Sequence, residues 1–186
     1  MTFIDEMILA ARGIFAITIG KRDSAKYFNL TNFGLSGAAI ALVLSFAISI
    51  FVPEILGIRN NGLLPFQALI FIGVVSLFQV GAAAIILYQL NRFDGFVPYL
   101  VVDFWSTFFI TILTLVPVIL NLQSEFLMLV LAILVLVIKV NILRLIVKLP
   151  VLHIVMFFVA IIIVGFFGLI TVSSILGVDM MELNKL

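Results

Sequence analysis

Five apolar runs, at about 33–52, 64–90, 96–120, 125–149 and 151–177, leave this chain almost no choice of solvent. Each has the ~20 helical residues needed to cross a ~30 Å hydrocarbon core. Within lipid, backbone polar groups must be satisfied internally, so runs of this length imply helices. Charged residues are 10% of the chain and hydrophobic ones 65%, too little polar surface to cover a water-soluble globule. The expected fold is all-α. It is a polytopic transmembrane bundle of five helices in 33–178, with an amphipathic interfacial helix and basic turn in 1–32 and a short tail at 179–186.

Residues 2–19 carry the leading helix. Thr2 can cap it, and Asp5 in the first turn suits the helix dipole. Phe3, Met7, Ala11, Ile14 and Thr18 follow helical spacing, and Ile4, Ile8, Phe15 and Ile19 widen that face. Asp5, Arg12 and Ala16 fall opposite, which suits a helix lying on the membrane surface. Packing on the chain's own loops or on another protein is the alternative. Gly20 stops the helix, and Lys21, Arg22 and Lys26 form a turn suited to anionic headgroups and to setting topology. Breaks follow at Pro53–Gly62, Asn91–Gly95, Asn121–Glu125 and Pro150. With the amino end inside, the inner segments hold Arg12, Lys21, Arg22, Lys26, Arg92, Lys139, Arg144 and Lys148, and the outer ones hold Arg59 and Lys185. Eight bases against two orient the chain with a cytoplasmic amino end and a periplasmic carboxyl end.

The same inventory excludes much chemistry. No basic block exists that could track phosphates, so nucleic acid is not an expected partner. Cysteine is absent, which removes disulfides, thiolate metal sites and cysteine nucleophiles together. A lone histidine, His153, has no second ligand at metal-binding spacing. No catalytic residue, metal or cofactor is expected, and the chain reads as non-enzymatic. The first thirty residues lack the positive start and small-residue cleavage site of a secretory signal.

One hairpin points to a buried interaction. Counted from Gln123, Asp103 lies 20 residues before the tip, Lys139 lies 16 after it and Arg144 lies 21 after it. Antiparallel helices would hold these at similar depth, and intramembrane charges seek partners. Asp103 is therefore expected to pair with Lys139 or Arg144, with snorkelling of the bases as the alternative. Asp103, Thr107, Thr111 and Thr114 share a helical face, which reads either as a polar path or as hydroxyls bonding back to their own helix. Asn141, Arg144 and Lys148 share another face. Gln79, deep in the second run, should seek an interhelical hydrogen bond.

Small residues mark helix packing: Gly37, Ala41, Ser45 and Ser49 on the first span, and Gly165, Gly168 and Thr171 on the last. Gly73, Ser76 and Ala83 form a weaker set on the second. Such ridges let helices approach closely in lipid. Intrachain packing is the favoured use, and a homo-oligomer seam the alternative.

Gly20–Thr31, with Tyr27-Phe28-Asn29-Leu30-Thr31 ahead of the first span, looks like the leading segment of small bacterial inner-membrane proteins. The five-span layout with an inside, amphipathic amino end resembles the Yip (Ypt-interacting-protein) domain family. That resemblance implies a five-span inner-membrane protein and supplies no active site. Tiny loops and packing ridges favour a non-enzymatic scaffold or accessory subunit with a protein partner in the bilayer. The alternative is a small transporter or channel with a polar path headed by Asp103. A cavity reaching Asp103 and Thr107 would separate the two.

Overall fold

The computed structural model describes residues 2–57, 64–120, 122 and 124–176, with side chains through 174. The turn around Asn60-Asn61-Gly62, Asn121, Gln123 and the tail at 179–186 lie outside them. Among the described residues there are six α-helices: α1 (Phe3–Thr18), α2 (Asn32–Ile55), α3 (Pro65–Gln89), α4 (Phe96–Ile119), α5 (Glu125–Asn141) and α6 (Val151–Leu176). Two 3₁₀ turns, Ser24–Tyr27 and Phe93–Gly95, and a π-helical turn, Ile142–Ile146, complete the chain. Helices α2 to α6 are long and apolar enough to cross a membrane.

Local chemistry sets the ends. Thr2 Oγ1 accepts from the Asp5 backbone N–H at 3.3 Å, and Asp5 Oδ2 accepts from the Thr2 N–H at 3.0 Å, a reciprocal cap. Helix α1 stops at Gly20, whose φ of +73° favours glycine. There the Gly20 and Lys21 N–H groups donate back to Ile17 and Ala16 carbonyls, each at 2.9 Å. Asn91 plays the same part after α3, at φ +53°. Pro53 does not begin the turn; it sits in the last turn of α2, which continues to Ile55. There a proline removes one ladder bond without interrupting a helix that is about to end.

Helix α2 packs mainly on α4, and α3 on α6. Gly37, Ala38, Ala41 and Ser45 are buried, so the first-span ridge serves the bundle itself. Gly165 and Gly168 face Gln79 and Phe78 of α3, with a Cβ at either position reaching them at 3.5 Å. Helix α1 rests on α4 and α5, with Phe3 tilted over Trp105 at 5.5 Å between ring centroids. Asn141 Nδ2 donates to the Ile17 carbonyl at 2.8 Å and pins the end of α1.

This docking settles which side of α1 meets the bundle. Ala10, Gly13, Ile14, Ala16 and Ile17 are buried against the bundle, so Ala16 is not on an outer polar face. The chain returning from Gly20 folds under it. Ile4, Ile8, Phe15 and Ile19 stay exposed, the first and third at 61% and 67%. Helix α1 thus has two apolar sides, one spent on protein and one left for lipid.

Two cores result. One gathers Ala10, Ile17, Ala38, Val102, Trp105 and Ile142 from α1, α2, α4 and the π turn. The other gathers Ala83, Leu87, Leu143, Val147 and Phe157 from α3, the π turn and α6. Neighbouring residues Ile142 and Leu143 are buried in different cores. Consecutive side chains on a helix point about 100° apart, so neighbours can face different cores.

Candidate functional site: a polar chamber between the helix pairs

Between these cores lies a cavity of about 250 Å³. Helix α4 contributes Tyr99, Asp103 and Thr107; α5 contributes Lys139; α3 contributes Ser76 and Gln79. Leu42, Phe46, Leu143, Phe157, Phe158 and Ile161 complete much of the apolar wall. Tyr99 lies edge-on to Phe157, with centroids 5.4 Å apart.

The centre of the site is an ion pair. Lys139 Nζ donates to Asp103 Oδ1 at 2.6 Å and, more weakly, to Thr107 Oγ1 at 3.4 Å. Thr107 can accept because its own proton goes to the Asp103 backbone carbonyl at 2.9 Å. Ser106 donates to that same carbonyl at 2.8 Å. Tyr99, one helical turn earlier, lines the same chamber. Neither charge is sealed: the Lys139 and Asp103 side chains are 25% and 17% exposed, on the chamber side.

The remaining sequence candidates separate. Arg144 does not approach Asp103; it is exposed and lines a different pocket with Arg22 and Lys148. Five residues beyond Lys139, it falls on a different side of the segment. Thr111 does not line the chamber, and Thr114 donates to the Thr111 carbonyl at 3.0 Å. The threonine stripe therefore stops being a path after Thr107. Of the turn bases, Lys26 is engaged by Asp23 and lies 5.2 Å from the Tyr27 ring centroid, while Lys21 and Arg22 are exposed. The Asp23 hydrogen bond raises the Lys26 pKa and lowers that of Asp23.

Two participants were not singled out from sequence. Tyr99 precedes Asp103 by one turn, a spacing that offered a signal. Glu6 sits on the inward face of α1 against Gly37, with Oε1 buried and without a hydrogen-bond partner in the bundle. Its position next to Ile17, Ala10 and Phe3 on the helical wheel was the available cue.

Chemically, the chamber offers a carboxylate acceptor, an ammonium donor, hydroxyls and an amide inside an apolar shell. At roughly 30 Å³ per water molecule, its volume suits several waters or one small polar solute. Fold and chamber together define an integral membrane protein of the polytopic helical class. Comparison with protein-family models, curated proteins and solved structures finds no match.

Proposed function

We propose that this protein is a small membrane-embedded carrier or channel that receives a polar solute at the Asp103–Lys139 pair. The supporting observation is that the pair faces a chamber instead of being packed shut. A structural ion pair gains most when its surroundings satisfy and enclose it. Here a solute bearing a donor and an acceptor can compete for both partners. Intramembrane ionisable groups that face a cavity mark solute or proton pathways in many membrane proteins.

The cysteine-free sequence makes a direct test practical. Thr107→Cys, introduced alone into protein reconstituted in vesicles, should react with a membrane-impermeant, water-soluble thiol reagent. Ser106→Cys, whose native side chain is fully buried, should not. Equal protection of both positions would mean a closed bundle and would return the scaffold reading to first place.

The scaffold or accessory reading retains one specific support. A Cβ at Gly73 or Gly81 on α3 would meet nothing within 4 Å, so part of that helix is open to a partner helix. Bacterial inner-membrane residence, a Yip-like relationship and a cytoplasmic amino end accompany either reading.

A further inference from the structure

We propose that Arg22, Arg144 and Lys148 form a binding site for a phosphate-bearing anion, supplied by an anionic lipid headgroup at the base-rich end of the bundle. These residues, with Gly20 and Leu145, line a pocket of about 320 Å³. They come from the turn after α1 and from the end of the fourth span, more than a hundred residues away. The Asn141-to-Ile17 bond holds those segments together, and Arg92 Nη2 donates to the Lys148 carbonyl at 3.3 Å from a third segment.

Like charges do not converge without compensation. The two ion pairs among the described residues are Lys26–Asp23 and Lys139–Asp103, so no carboxylate neutralises this trio. None lines the pocket either. Lys148 is held at φ +60°, the left-handed conformation that ends the helical segment, with the Leu149 N–H donating back to the Leu143 carbonyl at 3.0 Å. Two guanidinium forks and an ammonium around a concavity match a phosphate's oxygens.

The surroundings favour a lipid as the source. Ile19 immediately precedes Gly20, and Val151 and Leu152 closely follow Lys148; all three are exposed. Acyl chains can lie on these apolar flanks while the headgroup occupies the basic pocket. This site is separate from the Asp103 chamber and does not depend on it.

Full-length protein, delipidated in mild detergent, would be titrated with phosphatidylglycerol, phosphatidylcholine and inorganic phosphate. Native mass spectrometry would count retained ligand. Phosphatidylglycerol should be retained at least about tenfold better than phosphatidylcholine, and each of Arg22→Gln, Arg144→Gln and Lys148→Gln should weaken it about fivefold. Arg12→Gln, an exposed base outside the pocket, should leave binding unchanged. Inorganic phosphate that binds and displaces the lipid would support the phosphate site while naming a free anion as a second source. Equal retention of both lipids without phosphate binding overturns the proposal. So does an Arg12→Gln loss as large as that of Arg144→Gln. The wild-type lipid comparison stands even if a variant folds poorly.

Discussion

Removing the carboxylate at position 103 would strand an ammonium among apolar helices. Asp103→Asn should therefore lower the detergent unfolding midpoint, corresponding to about 1–3 kcal/mol given the pair's partial exposure and the modest average of polar contacts in membranes. Adding Lys139→Met should recover part of that loss, because the orphaned charge is gone. An additive double variant would show that the two side chains are energetically uncoupled. A second pair tests the docking of α1. Any Cβ at Gly37 would overlap Glu6 Oε2. Gly37→Ala should cost less than about 1 kcal/mol, because Glu6 Oε2 is the far end of a flexible side chain that can swing aside, and Glu6→Ala in the same chain should relieve what cost remains. Failure of that relief in thermal unfolding would place the strain elsewhere.

At the scale of elements, the register through the π turn decides which side chains meet. Inserting one extra residue, an alanine after Leu145, should rotate everything after it by roughly 100°. Val147 and Leu149, both buried, would leave the second core. Val147 also closes on Gly95, where a Cβ would lie 2.7 Å from Val147 Cγ1. The expected result is a large fall in the unfolding midpoint; an unchanged midpoint would mean that the register after Leu145 has no packing role. The cap of α1 makes a pH prediction. Hydrogen bonds from the Thr2 N–H and hydroxyl hold the Asp5 pKa below its ordinary 3.8. A lowered folded value means the cap's contribution is complete above the ordinary value and fades as pH falls through the folded one. Amide exchange at Thr2, corrected for intrinsic rates, should therefore show declining protection as pH is lowered below about 4. Pattern reading found this cap because its residues are three apart. It had no cue for the π turn, since Ile142–Ile146 has the composition of any apolar helix. Counting depth from the hairpin tip left Lys139 and Arg144 as alternative partners for Asp103, because depth alone does not say which face each base occupies.

Across the whole molecule, five long apolar helices were legible because lipid imposes length and internal hydrogen bonding on each span. Helix pairing was only partly legible. The Gly37–Ser45 ridge announced close packing without saying that α4 would fill it, and two cores with a chamber between them required coordinates. Sidedness is the molecular property still open to a sharp test. Eight of the ten bases lie in segments assigned to one side, and Arg22, Arg92, Arg144 and Lys148 converge at that end of the bundle. Positive charge resists translocation, so this end should face the cytoplasm. A phosphatase that works only outside the inner membrane, fused after Leu186, should then be active, and the same enzyme fused before Met1 should be silent. The reverse pattern would turn the basic pocket outward and remove the cytoplasmic leaflet as its lipid source. Activity at both ends would demand an even number of crossings, so one of the five helices would have to lie outside the hydrocarbon core.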